Sequence, residues 1–337
     1  MIKKILITGG AGYIGSHTAV ELIQAGYHVV ILDNISNSSI KVLDRVKKIA
    51  GNELTFIQAD VCQVKMLDQI FSQNEIYSVM HFAGLKIISE SVANPIRYFA
   101  NNVGSTLGLL QAMNRANVKR IVFSSSATVY GDPERVPIAE SSLLQTVNPY
   151  SRTKLMCEEI LRDLCSSDPS WAAAILRYFN PIGAHISGSL GDNSFSSINN
   201  LMPIITQVAV GKRDDLKIYG NDYPTPDGTC IRDYIHIVDL ARGHLAALNY
   251  LHENNRSITV NLGAGRGVSV KELVDTFVKV TGVSVPYQFV ARRIGDVATS
   301  YADISLAQKT LGWKAELNLE RMCTDAWRWQ IKNPDGY

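Results

Sequence analysis

Tyr150 and Lys154 stand four residues apart in Tyr150-Ser151-Arg152-Thr153-Lys154. On a helix that spacing puts both side chains on one face, so phenol and ammonium point into the same cleft. A phenol with a pKa of about 10 is a poor base at neutral pH. A neighbouring ammonium favours the phenolate and brings its titration toward the working range. Ser126, within Ser124-Ser125-Ser126-Ala127-Thr128-Val129-Tyr130, can hydrogen-bond the same substrate hydroxyl and orient it. The chemistry of such a trio is removal of a hydroxyl proton. The Tyr-x-x-x-Lys pair alone arises on the order of once by chance in a chain of this size, so its meaning depends on what accompanies it.

What accompanies it is Thr8-Gly9-Gly10-Ala11-Gly12-Tyr13-Ile14-Gly15. It satisfies G-x-G-x-x-G through Gly10, Gly12 and Gly15, and T-G-x-x-G-x-x-G through Gly9, Gly12 and Gly15. A backbone that turns off a strand and approaches a pyrophosphate closely has no room for side chains, and the following helix supplies N–H donors and a positive dipole end. Asp33 lies 21 residues past Gly12, where a carboxylate accepts both hydrogen bonds of an adenosine ribose diol. It repels a 2′-phosphate, and Asn34-Ile35-Ser36-Asn37-Ser38 contains no Arg to neutralise one. The expected cofactor is NAD rather than NADP. Its candidate contacts are Gly9, Gly12, Tyr13, Ile14 and Gly15, then Asp33, Asn34, Asn37 and Ser38. Asp60-Val61 and His81-Phe82-Ala83-Gly84-Leu85-Lys86 follow later strands toward the same crevice. Asp60 would meet an adenine amino group, and Val61, Phe82, Ala83, Gly84 and Lys86 would line the cofactor's path. Taken alone either stretch reads as a loop rather than a site, and His81 as a satisfied core histidine rather than a catalyst. The positive charge of an oxidised nicotinamide would further favour a Tyr150 phenolate.

These residues need a frame, and the chain supplies one. Lys4–Thr8 reads as a strand and Tyr13–Ala25 as a helix ending at Gly26. Val29–Leu32, Thr55–Gln58, Ser78–Phe82, Arg120–Ser124 and Trp171–Leu176 read as further strands, with Tyr150–Cys165 a long helix. Strand and helix alternating in this way imply parallel pairing with helices on both faces. The expected class is α/β: a Rossmann-type doubly wound parallel sheet over residues 1–177, with a smaller mixed α/β substrate domain over 178–337. Parts of about 230–262 are candidates to return to the first domain. Past Arg177 the alternation fails, Gly and Pro become frequent, and helices such as Ser269–Thr281 stand isolated. In an open sheet of this kind the ligand crevice lies at the carboxyl ends of the strands.

Bulk properties agree with an enzyme of small molecules. The chain has 337 residues, 46% of them hydrophobic, and a net charge of +2 with Lys and Arg dispersed. No basic stripe points to nucleic acid and no polybasic segment to a membrane surface. No apolar run reaches the roughly 18 residues of a membrane span, and the N-terminal run is too short for a signal peptide. Five cysteines, odd in number and without C-x-x-C spacing, read as free thiols of a cytoplasmic protein. No metal site is expected.

The motifs taken together resemble the extended short-chain dehydrogenase/reductase family, and within it the UDP-glucose 4-epimerases, from Lys4 to Trp327-Arg328-Trp329. The resemblance is carried by His81–Lys86, Ser124–Gly131, Arg177-Tyr178-Phe179-Asn180-Pro181, Gly220–Thr225 and Arg232-Asp233-Tyr234-Ile235-His236. It implies a self-contained redox cycle on tightly held NAD, with Ser126, Tyr150 and Lys154 catalytic and in contact with the cofactor. It implies that Lys154 binds the nicotinamide ribose and depresses the tyrosine pKa, and that Asn101 and Phe179 contact the cofactor. The UDP-sugar would meet Lys86, Ser126, Tyr150, Asn180, Asn200, Leu201, Arg232, Arg293 and Asp296, with Lys217, Ile218 and Tyr219 against the uracil. Arg232 and Arg293 are also natural partners of a diphosphate on chemical grounds; otherwise they read as solvated surface arginines.

Ser300 stands where several family members carry a bulky tyrosine. A small residue there leaves volume for an acetamido group, so UDP-GlcNAc and UDP-GalNAc are expected substrates beside UDP-glucose and UDP-galactose. An alignment moved by one residue would put Tyr301 there instead. A related dehydratase needs an Asp-Glu pair after the active-site Thr, whereas Ala127-Thr128 follow Ser126. A uronate-specific relative, a dehydrogenase that releases NADH and a non-catalytic NAD-binding protein are the other readings. A homodimer is expected from the resemblance, through helices at roughly 95–116 and 150–165. Leu107, Leu109, Leu110 and Met113 fit that interface or burial within one subunit.

Overall fold

Ile5-Leu6-Ile7 and Val29-Val30-Ile31-Leu32 are buried along their whole length. Strands apolar on both faces must be covered on both, which is the condition of an all-parallel sheet. In the computed structural model, which describes residues 2–193, 200–293 and 295–337, these runs are β1 (Lys4–Thr8) and β2 (His28–Asp33). They are followed by β3 (Thr55–Gln58), β4 (Ile76–His81), β5 (Arg120–Ser126) and β6 (Ala172–Tyr178). The second half of the chain contributes β7 (Asn180–Ile182), β8 (Leu216–Tyr219), β9 (Ile231–Arg232), β10 (Tyr234–His236) and β11 (Ile258–Leu262). Last come β12 (Val268–Ser269), β13 (Tyr287–Val290) and β14 (Thr299–Ser300).

The central sheet has seven strands in the order β11-β6-β5-β4-β1-β2-β3, all parallel. This is the doubly wound Rossmann-type arrangement, with strand order reversing between β1 and β4. Period-two alternation divides its core. Ile5, Ile7, Val29 and Ile31 pack on the side of helices Tyr13–Gln24, Lys41–Ala50 and Ile237–Asn254. Leu6, Val30 and Leu32 pack on the side of Val64–Gln73, Gly104–Arg115 and Pro149–Ser167. A third cluster, including Ile205, Ile218, Leu273, Phe277 and Met322, fills the second half of the chain.

The alternation that fails in sequence past Arg177 resumes in space. Helix Ile237–Asn254 lies against Tyr13–Gln24, and β11 pairs with β6 from Ala174 to Tyr178. The intervening residues build small sheets outside the central one: β10 beside β7, β13 beside β8, and β9 between β12 and β14. Among the described residues no helix is long and apolar enough to cross a membrane.

Candidate active site

The carboxyl ends of the strands open into one cavity of about 900 Å³, within the usual size of small-molecule sites. At the switch point the loop after β1 presses on the loop after β4. Gly9 has φ +70°, and a Cβ there would lie 2.7 Å from the Ala83 nitrogen. A Cβ on Gly15 would lie 2.4 Å from the Gly9 carbonyl oxygen. The turn is closed by Gly12 N–H donating to Gly9 O and Ser16 N–H donating to Gly12 O. Helix Tyr13–Gln24 then starts with no side-chain cap and no acid in its first turn, so its free N–H groups and positive end face the cavity. Asp33 accepts from Ala11 N–H (3.0 Å), Ile35 N–H (2.9 Å) and the Ser38 hydroxyl (3.0 Å). A carboxylate offers about four lone-pair sites, so one is left for a ribose hydroxyl, and a second diol contact takes the place of the Ser38 hydroxyl. Asp60 fixes Asn34, accepting from its amide at 2.9 Å. This cradle fits the pyrophosphate and ribose of a dinucleotide.

Helix Pro149–Ser167 begins in a capping box, which sets where the phenol stands. Asn148 accepts from Ser151 N–H at 2.9 Å, the Ser151 hydroxyl lies 3.3 Å from the Asn148 N–H, and Pro149 occupies the first turn. Tyr150 is therefore at the positive end of a helix, which favours a phenolate. Lys154, one turn on, is buried and donates to the Ser124 carbonyl at 2.7 Å. Burial lowers its pKa from 10.5 to about 8, partly opposed by Cys157 and Glu158. Burial raises the Tyr150 phenol above its ordinary value, and the hydrogen bond with Ser126 opposes this only in part. Ser126 ends β5 and accepts from Thr128 N–H (3.2 Å) and the Thr128 hydroxyl (3.0 Å), so its own proton is directed to the Tyr150 oxygen or to a bound hydroxyl.

The same cavity is lined by Gly9, Gly12, Tyr13, Ile14 and Gly15, by Asp33, Asn34, Asn37 and Ser38, and by Asp60 and Val61. Phe82, Ala83, Gly84, Lys86, Asn101 and Phe179 line it as well. On the side away from the central sheet are Asn180, Asn200, Leu201, Lys217, Ile218, Tyr219, Arg232, Arg293, Asp296 and Ser300. The candidate contact residues thus line one space, whereas Gly10 and His81 do not line it. The Arg293 guanidinium lies over the Tyr219 ring at 3.7 Å. Arg232 donates to the Ile231 and Val297 carbonyls, both at 2.8 Å, and approaches Asp296 at 3.8 Å. Lys217 is held by Asp215 and Gln288, while the Ile218 side chain is buried in the third core cluster, leaving its backbone for any ligand contact. In β14, Ser300 faces the cavity; Tyr301 packs by Gly267 instead. His81 bonds Thr8 and Thr106 through its two ring nitrogens and is held neutral by burial.

Sequence reasoning missed the support beneath this site. Fully buried Glu158, one turn beyond Lys154, accepts from Ser125, Arg162 and Arg177. Arg177 also reaches the Tyr130 hydroxyl at 3.0 Å, which donates to Asn261 at 2.7 Å. Glu158 falling four residues after Lys154 was the only available signal. Tyr337, distant in sequence from every motif, lines the cavity too.

The family model described as GDP-mannose 4,6 dehydratase matches residues 6–326. The UDP-glucose 4-epimerase of Dictyostelium discoideum is 55% identical over 335 residues, covering 99% of this chain and 97% of that protein. The crystal structure of the Stenotrophomonas maltophila UDP-glucose 4-epimerase, with bound NAD and formylated UDP-arabinopyranose, matches with TM-score 0.97 and 47% identity. It covers 98% of this chain and 99% of that one. The Bifidobacterium longum UDP-glucose 4-epimerase in complex with NAD+ and UDP matches with TM-score 0.95 and 48% identity, over 99% of this chain and 100% of that one. Sharing sequence and fold with them over nearly its full length, the chain belongs to the UDP-glucose 4-epimerase family, within the extended short-chain dehydrogenases/reductases.

Proposed function

We propose that this protein binds NAD and interconverts UDP-glucose and UDP-galactose by oxidising and re-reducing C4 of the hexose. The observation that carries the reading is Tyr150 at a helix N-terminus, one turn before a buried Lys154 and hydrogen-bonded to Ser126, in the cavity that also holds the glycine cradle. When bound, NAD supplies the acceptor, and later the donor, of two electrons and the C4 hydrogen. Tyr150 takes the 4-hydroxyl proton, and Ser126 donates a hydrogen bond that holds that oxygen. Lys154 contributes positive charge that favours the Tyr150 phenolate. Arg232 and Arg293 hold the diphosphate, so the resulting 4-keto sugar turns about its phosphate link while remaining in the cavity. Tyr150 then returns the proton to the oxygen on the other configuration. No net redox equivalent is consumed.

A dehydratase is disfavoured although the family model carries that name, because Ala127 and Thr128 line the cavity beside Ser126 and neither supplies an acid or base for eliminating water. A wider substrate range, UDP-GlcNAc and UDP-GalNAc included, is supported by the small Ser300 facing the cavity. We place the division between cofactor and substrate domains near residue 177, with about 230–262 returning to the first. A cytoplasmic homodimer is the proposed assembly. Ile88, Val92, Ile96, Leu107 and Met156 are exposed apolar residues on or beside the two expected helices, whereas Leu109, Leu110 and Met113 are buried within the chain.

The deciding experiment incubates purified protein, without added cofactor, with UDP-galactose and separately with UDP-GalNAc, and separates the products by chromatography. Conversion of both supports the full reading. Conversion of UDP-galactose alone removes the wider range, and no conversion of either with NAD supplied overturns the function.

A further inference from the structure

The segment from His185 to Asn193 contains no helix or strand, yet Gly191, Asp192 and Asn193 wall the cavity that also holds Gly12–Gly15, Asn37 and Ser38. A loop without regular structure must satisfy its carbonyls elsewhere. Here the end of the chain does so almost residue by residue. Ile186 O accepts from Arg328 (3.1 Å), Ser187 O from Lys332 (2.9 Å), Gly188 O from Asn333 (2.9 Å) and Asp192 O from Trp329 (3.3 Å). The Tyr337 hydroxyl donates to Gly191 O at 3.1 Å and accepts from Gly191 N–H at 3.2 Å. Tyr337 N–H donates to the Asn193 side chain at 3.0 Å. The contact is flush: a Cβ on Gly191 would lie 2.4 Å from the Trp329 ring.

The opposite end of this stitching is tied to the ribose side of the cavity. Arg45 belongs to helix Lys41–Ala50, which follows the Asp33–Ser39 loop directly. Its guanidinium lies 4.8 Å from the Tyr337 ring centre and 5.6 Å from that of Trp329. It also donates to Ser189 O at 2.9 Å and to the Asn333 side chain.

We propose that residues 328–337 form a strap holding the Gly191–Asn193 wall against the bound dinucleotide, with Tyr337 as its positioning residue, so that the strap sets how long the cofactor stays. The proposal rests on NAD being the ligand of this cavity. Tyr337 takes no part in the proton transfer. Loosening it therefore opens the cofactor end of the cavity while Ser126, Tyr150 and Lys154 keep their arrangement.

The test compares holoenzyme of the unaltered protein, Tyr337→Phe and Tyr337→Ala. Tyr337→Phe keeps the ring on Arg45 and removes only the hydroxyl. NAD release is followed after dilution and rapid desalting, alongside turnover with excess NAD and the melting temperature of the cofactor-free protein. Loss of two hydrogen bonds predicts NAD release about tenfold faster for Tyr337→Phe, and faster still for Tyr337→Ala. Turnover with NAD in excess should lie closer to that of the unaltered protein than turnover on retained cofactor alone. Unchanged release from Tyr337→Phe overturns the strap, even if the cofactor-free melting temperature falls, because that is the mark of a merely structural residue. Should Tyr337→Ala not fold, the Phe variant decides. Absence of NAD from the unaltered protein, with no turnover when NAD is added, would instead overturn the functional reading on which the strap rests.

Discussion

Removing the buried charge of Lys154 should make the cofactor-free protein more stable. Lys154 is buried, and its titration is moved from 10.5 to about 8 chiefly by that burial. At about 1.4 kcal/mol per tenfold change in proton affinity, holding this ammonium in the folded state costs about 3 kcal/mol. Lys154→Met keeps the length of the stem and removes the charge. It also loses the hydrogen bond to Ser124 O at 2.7 Å, worth about 1 kcal/mol, so the net gain is about 2 kcal/mol. The sign follows from linkage. A lysine whose folded pKa is depressed burdens the fold below that pKa, and the burden fades as pH rises from about 8 to 10.5 because the folded state sheds the proton first. Urea unfolding of the two cofactor-free proteins, at pH 7 and again near pH 10, measures this directly. The variant should be more stable at pH 7, lose that advantage by pH 10, and turn over at least about a hundredfold more slowly. A variant less stable at pH 7, or a difference that ignores pH, refutes the burial argument.

Other perturbations read other parts of the site. Ser300→Tyr should suppress turnover of the N-acetylated UDP-sugars and spare UDP-galactose; equal retention of both activities would remove Ser300 as the gate. Gly15→Ala puts a Cβ 2.4 Å from Gly9 O, so the purified variant should carry no NAD and show no turnover without added cofactor. Glu158→Gln leaves the buried Arg177 guanidinium, 2% exposed, without its counter-charge. It should cost about 3–5 kcal/mol in chemical unfolding, and a loss below about 1 kcal/mol would mean that Glu158 is not the main partner of Arg177.

What was legible in the sequence had a local cause. The glycines of the first turn are forced by close approach of backbone at Gly9 and Gly15, and that need is visible in any reading of residue types. The Tyr150–Lys154 face is visible because four residues is one helical turn, and its start is marked by Asn148, Pro149 and Ser151. β11 was harder. It pairs with β6 across the whole segment between them, and no periodicity announces a partner so distant. The upward displacement of the Tyr150 phenol comes from burial, which only the closed cavity reveals. Ser300 and Tyr301 differ by strand register, where one residue reverses the face: Ser300, paired with Arg232 in β14 and β9, lines the cavity and Tyr301 does not. Glu158 meets Ser125 and Arg177, and Tyr337 meets Gly191, only through the fold, and neither carries a motif of its own.

The central claim is that the C4 hydrogen leaves the sugar and returns to the same carbon, with no exchange at C4 with water. The direct measurement is conversion of UDP-galactose bearing deuterium at C4, by protein supplied with no external cofactor, followed by mass and NMR analysis of the UDP-glucose formed. The account predicts deuterium retained at C4 of the product, and none entering that position when unlabelled substrate is converted in heavy water. Loss of the label to solvent would contradict it and point to proton abstraction at carbon in place of hydride transfer.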